Sequence, residues 1–90
     1  MSGDLEELRV FVTVVDVGSV KGAALALGVA RSTVRRKLES LERRVEAPLV
    51  WTDSSGVHLT PAGRILRESA SGMLEEYSAI LQAVRAHADE

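Results

Sequence analysis

The 90-residue chain contains no cysteine, which excludes a disulfide framework and any metal site built on thiolates. Histidine is nearly as scarce. His58 stands in a strand-like run and His87 near the C-terminus, and no carboxylate is spaced to join either. No acid–base pair and no metal site can be assembled from them, so no catalytic residue, metal or cofactor is assigned and the chain does not read as an enzyme. The aromatic residues are Phe11, Trp51 and Tyr77 alone, too few for the platform of exposed rings on which single-stranded nucleic acid stacks. No apolar run approaches the roughly 18 residues of a membrane span. No basic segment precedes an apolar core at the N-terminus, and a soluble cytoplasmic protein without membrane association is expected.

What is present is an ordinary globular balance, with 46% hydrophobic and 27% charged residues, enough for one small folded domain and no more. The net charge of −2 runs against a nucleic-acid partner, because neutralising phosphates supplies most non-specific affinity. Its distribution does not. Between Arg31 and Arg44 stand Arg31, Arg35, Arg36, Lys37, Arg43 and Arg44 against only Glu39 and Glu42, a local charge of +4. Acids gather instead at the ends, in Asp4, Glu6 and Glu7 and in Glu75, Glu76, Asp89 and Glu90, where they can face away from a polyanion.

That basic segment belongs to a two-helix unit spanning residues 20–45. Lys21 to Leu27 is short and rich in small residues, Gly28 and Val29 interrupt it, and Arg31 or Ser32 opens a longer run to Val45. In that run Val34, Leu38, Leu41 and Val45 recur at helical spacing and mark a buried stripe. Ser32, Arg35, Arg36, Glu39 and Arg43 fall on the opposite side. A helix that buries one face and offers arginines on the other suits the major groove of a duplex. Inward-facing Ala23, Ala24 and Leu27 allow the preceding helix to cross closely, and Gly28 sits where the turn asks for a positive φ. The pattern is that of a helix-turn-helix.

Before this unit, Asp4 is placed to cap a first helix whose Leu5, Leu8, Phe11, Val12 and Val15 form an apolar stripe. Gly18 ends that helix and Ser19 caps the next. After the unit, Pro48 interrupts, and the runs 49–51 and 57–59 flank the turn-forming residues 53–56, predicting a hairpin across a four-residue turn. Such a hairpin is the wing of a winged helix, here poor in cations with His58 its only candidate. Thr60 followed by Pro61 opens a long last helix. In it Leu66, Ala70, Met73, Tyr77, Ile80 and Val84 are spaced four, three, four, three and four, a heptad stripe suited to pairing with a second subunit. Folding back onto the first helix would use the same residues. The fold expected is mostly α, a winged helix-turn-helix over residues 4–59 followed by a linker or dimerisation helix over residues 60–86.

Four ordered blocks extend this reading: LRVFVTVVDVGSV from Leu8 to Val20, AALALGVARSTVRRKLESLE from Ala23 to Glu42, APLV from Ala47 to Val50, and GVHLTPAG from Gly56 to Gly63. In these the chain resembles the N-terminal DNA-binding domain and linker helix of LysR-type transcriptional regulators. The resemblance implies a winged helix-turn-helix that dimerises through antiparallel linker helices and binds an interrupted palindrome in promoter DNA. Full-length members carry a C-terminal effector-binding domain that has no counterpart in these 90 residues. The family's DNA-reading positions fall on Arg31, Ser32, Arg35 and Arg36. Arginine at 31 and 35, where the family commonly has glutamine and serine, shifts the helix toward more charge and toward guanine, whose O6 and N7 accept a bidentate guanidinium. The family usually has glycine where this chain has Glu46, and phenylalanine and arginine where it has Val50 and Thr52, so the wing lacks its arginine.

The expected DNA-binding set is therefore Arg31, Ser32, Thr33, Arg35, Arg36 and Arg43, and the expected dimerisation set Leu66, Ala70, Met73, Tyr77, Ile80 and Val84. Bland roles compete for several of these. Arg35, Glu39 and Arg43 are spaced to form a surface ion-pair ladder, Ser32 to cap its own helix, and Thr33 to serve the turn. The competing function is a dimerisation or protein-docking module that antagonises or partners a full-length regulator.

Overall fold

A computed structural model describes residues 3–88. Helix α1 (Gly3–Val17) is followed by α2 (Val20–Leu27) and α3 (Arg31–Val45), then by the antiparallel hairpin β1 (Val50–Asp53) and β2 (Gly56–Leu59), and last by α4 (Pro61–Ala86). Because α1 begins at Gly3, Asp4 lies within it, and the side chain of Asp4, like residues Asp89 and Glu90, lies outside the described part.

Two apolar clusters make the core, and α1 serves both. On one side Leu8 and Phe11 pack with Leu38, Leu41, Leu49 and Ala70. On the other Val10 and Val14 pack with Ala23, Ala24 and Val34. The stripe through Leu5, Leu8, Phe11, Val12 and Val15 accounts for the first cluster only. Val10 and Val14 are buried as deeply because α2 and α3 close over the second side of the same helix.

The local signals act as expected at most joints. Gly18 (φ +88°) ends α1, the Ser19 side chain accepts from the Gly22 N–H, and Gly28 takes a left-handed φ of +69° at the end of α2. Three expectations need correction. Ala30, not Ser32, caps α3, its carbonyl accepting from the Thr33 and Val34 amides. Val45 is exposed rather than buried, because α4 passes beside the end of α3 without covering it and leaves an open groove over Val45, Ala47 and Leu49. The hairpin turn has two residues, not four: Asp53 pairs with Gly56, and Asp53 Oδ1 accepts from the Ser55 N–H at 2.8 Å, which tightens the reversal.

Helix α4 has two parts. Its Thr60 hydroxyl accepts from the Gly63 N–H and donates to the Pro48 carbonyl. Ala70 is fully buried and Leu66 packs against the first cluster, while Arg67 is paired with Asp16 of α1 at 2.7 Å. The first third of α4 thus completes the winged-helix core; the helix then runs on past Leu5 of α1 without burying its stripe, leaving an open groove lined by Leu5, Met73, Tyr77 and Ile80. Beyond Ala70, Met73, Tyr77, Ile80, Leu81 and Val84 are all exposed, and the helix gives the molecule its 52 Å long axis.

Glu46 ends α3 at φ +57°, the one non-glycine residue with positive φ among those described. An L side chain there costs about 1–2 kcal/mol, against a smaller unfolded-state entropy term that disfavours glycine. Glu46→Gly is expected to stabilise the domain by about 1 kcal/mol, a rise of about 4–8 °C in melting temperature for a chain of this size. Thermal unfolding followed by circular dichroism measures it, and an unchanged or lower midpoint would contradict the strain.

Candidate nucleic-acid interface

Six cations stand on α3, and the fold divides them. Lys37 turns back to Glu6 of α1 at 2.9 Å, and Arg44 reaches Glu7 at 3.1 Å. Glu7 is the buried acid of the core; a hydrogen bond from Ser40 and then the Arg44 guanidinium hold its carboxyl below the usual range, although burial alone would raise it. The N-terminal acids thus do more than face away from a polyanion: two of them, Glu6 and Glu7, bind α3 to α1. Glu42 is also drawn inward, accepting from the Leu49 N–H at 2.7 Å and the Val50 N–H at 3.4 Å.

The four remaining cations, Arg31, Arg35, Arg36 and Arg43, are exposed on the outer face of α3, and among the described residues none makes an ion pair or a side-chain hydrogen bond. The ladder through Glu39 does not form. Ser32 is exposed in the first turn beside them, and with Ala30 as the cap its hydroxyl has no capping duty. Thr33 is half-buried on the flank of that face. The expected DNA-binding residues are therefore gathered at one surface, with Glu39 the one acid among them.

Sequence reading missed Lys21. A cleft between the start of α2, the start of α3 and the wing is lined by Ser19, Lys21, Arg31, Arg35, Thr52 and Asp53 among others, which places the exposed Lys21 beside Arg31 and Arg35. The signal was available, since Ser19 as a cap puts Lys21 in the first turn of the helix that crosses the backbone in helix-turn-helix proteins.

The wing is held on the body by the Val57 N–H, which donates to the Gly18 carbonyl at 3.0 Å. On its outer side Trp51 stacks on His58 with ring centroids 4.4 Å apart. His58 Nε2 lies 2.9 Å from Asp53 Oδ1 and 2.9 Å from Ser55 Oγ. The wing's only candidate cation therefore faces a carboxylate of its own hairpin. Hydrogen bonds from the Ser55 hydroxyl, from His58 and from the Ser55 amide pull the Asp53 carboxyl down to about 2. Since the folded value lies below the unfolded one, the unfolded chain binds this proton first. The turn's stabilisation is complete above the ordinary aspartate value of about 4 and is lost as pH falls toward about 2. Trp51 is the only tryptophan, so its emission reports the wing. Acid titration of Trp51 emission is expected to show a step near pH 2 that Asp53→Asn abolishes; a wild-type step near the ordinary aspartate value would show the turn network to be absent.

Three helices packed around a shared core, the third with a free cationic face, a hairpin beside it and a long terminal helix define a winged helix-turn-helix domain. The family model for bacterial regulatory helix-turn-helix proteins of the lysR family matches residues 5–64, and the chain belongs to that family. An HTH-type transcriptional regulator of Xanthomonas campestris pv. campestris (strain 8004) is 36% identical over 84 residues, covering 93% of this chain and 24% of that protein. The HTH-type transcriptional regulator GltR of Bacillus subtilis (strain 168) is 40% identical over 63 residues, covering 70% of this chain and 21% of that one. The chain thus spans less than a quarter of the length of these curated relatives. Among solved structures, the BenM DNA-binding domain in complex with catB site 1 DNA superposes with a TM-score of 0.90 at 28% identity, covering 97% of this chain and 98% of that one.

Proposed function

We propose that this domain binds double-stranded promoter DNA in a sequence-specific manner as a homodimer, as the reading module of a LysR-type transcriptional regulator. The observation that carries the reading is the set of four unpaired arginines on the outer face of α3, in a helix whose other two cations are turned toward α1. Held edge-on in the major groove, α3 presents Arg31, Ser32, Arg35 and Arg36 to base edges near its N-terminus and Arg43 to the backbone. Lys21 and the wing lie along the flanking phosphates. The similarity to a domain bound to duplex DNA supports this placement.

Dimerisation follows from the distal part of α4. Met73, Tyr77, Ile80 and Val84 keep the heptad spacing and lie exposed, an apolar surface that a second α4 buries. Leu66 and Ala70 belong to the chain's own core, so the contact between subunits rests on the four later positions. Two-fold symmetry then pairs two half-sites in an interrupted palindrome.

The test is binding to duplex DNA from upstream of the protein's own gene, beside random duplex of equal length, across a salt series with mass measured in parallel. A dimer that prefers the promoter is expected, with log affinity falling against log salt by a slope of roughly −2 per subunit for the two cations placed on phosphates, Lys21 and Arg43. Equal weak binding to both duplexes by a dimer would shift the assignment to the protein-docking module.

A further inference from the structure

The recognition helix α3 and the long helix α4 are joined through the backbone of one residue, Leu49. The Leu49 N–H donates to the Glu42 carboxylate of α3 at 2.7 Å, while the Leu49 carbonyl accepts from the Thr60 N–H, at the cap of α4, at 3.1 Å. The Leu49 side chain is buried between them. On the α4 side the approach is closer still. A Cβ on Gly63 would collide with the Leu49 carbonyl oxygen, would stand 2.9 Å from its carbon, and would meet Leu59 Cδ2 at 3.1 Å. Backbone cannot yield as a flexible side chain can, so this contact admits glycine alone and sets the separation of α4 from the segment at Leu49 that leads into β1.

We propose that the clamp of Glu42, Leu49 and Gly63 sets the angle between the recognition helix and α4, and so determines which half-site spacing the dimer accepts. The inference rests on the dimeric DNA-binding reading given above. Its leverage comes from length. From Gly63 to the middle of the exposed stripe between Met73 and Val84, α4 runs about 15 residues, or about 23 Å at 1.5 Å per residue. A tilt of about 10° at Gly63 moves that point by about 4 Å, close to the roughly 3.4 Å rise of one base pair. Both subunits tilt in a symmetric dimer, so the recognition helices separate or approach by one to two base pairs in register. A segment held on one side alone could absorb such a tilt. One held by a carboxylate on one side and backbone contact on the other transmits it.

The experiment measures affinity of the full chain for a set of duplexes in which two copies of its half-site are separated by spacers differing by single base pairs, with an isolated half-site alongside. Wild type is expected to favour one spacing by about tenfold or more over spacers two base pairs away. Gly63→Ala shifts the optimum by one or two base pairs, and Glu42→Ala flattens the profile while Glu42→Gln, which keeps an acceptor for the Leu49 amide, restores it. Half-site affinity stays within about twofold of wild type in all three variants. If Gly63→Ala does not fold, the Glu42 pair decides. An unshifted, equally sharp profile in the folded variants, or a uniform loss that includes the half-site, would overturn the clamp as a spacing determinant. Failure of wild type to bind any duplex would instead overturn the DNA-binding reading itself.

Discussion

Arg36→Ala is expected to abolish most of the preference for promoter over random duplex while leaving the dimer and the melting temperature unchanged. A bidentate arginine contact to a base discriminates by about 1–3 kcal/mol, roughly 5- to 150-fold in each half-site, and a symmetric dimer loses it twice. Stability is spared because Arg36 is exposed and holds no partner among the described residues, and such surface changes stay within about 0.5 kcal/mol. The neighbouring Lys37→Ala supplies the contrast. Its ammonium is committed to Glu6 at 2.9 Å on the α1 side of the helix, so it is expected to leave DNA discrimination intact. Anisotropy titrations on both duplexes at one salt concentration, with mass measured alongside, make the comparison. Full retention of discrimination by Arg36→Ala would remove this residue from the reading set.

Phe11→Ala is expected to be the most destabilising single substitution among the core positions. Phe11 is fully buried and is the largest of the fully buried side chains, set among Leu8 of its own helix, Leu38 and Leu41 of α3, Leu49 before the wing and Ala70 of α4. Removing a buried phenylalanine costs about 3–5 kcal/mol, a large share of the roughly 5–13 kcal/mol that holds a domain of this length together. At about 4–8 °C per kcal/mol the melting temperature should fall by at least about 12 °C. Because the cavity opens where α3, the wing and α4 meet, DNA binding and dimerisation should be lost together at temperatures where the wild type retains both. A fall of less than about 5 °C would show that this core collapses around the gap.

Local chemistry was legible wherever one residue type answers one backbone requirement. Ser19 and Thr60 cap, Gly18 and Gly28 take positive φ, and Pro61 opens α4, each for reasons contained within a few neighbours. The heptad stripe of α4 and the inward face of α3 through Val34, Leu38 and Leu41 follow from periodicity alone. Periodicity failed where a helix has two buried sides, as at Val10 and Val14, and where a stripe outruns its partner, as at Val45. The Ala30 cap was hidden because its backbone carbonyl does the work and leaves no side-chain signature.

The sequence by itself determined the winged helix-turn-helix and its order of elements, the family, and the concentration of cations between residues 31 and 44. Tertiary structure alone decided which of those cations are free. Lys37 and Arg44 differ from Arg36 and Arg43 by one position each, but a step of 100° around a helix carries a side chain from solvent to the neighbouring α1, where Glu6 and Glu7 wait. The same holds along α4, where one unbroken stripe is core at Ala70 and surface at Met73, because only packing against α1 records where the body of the domain ends.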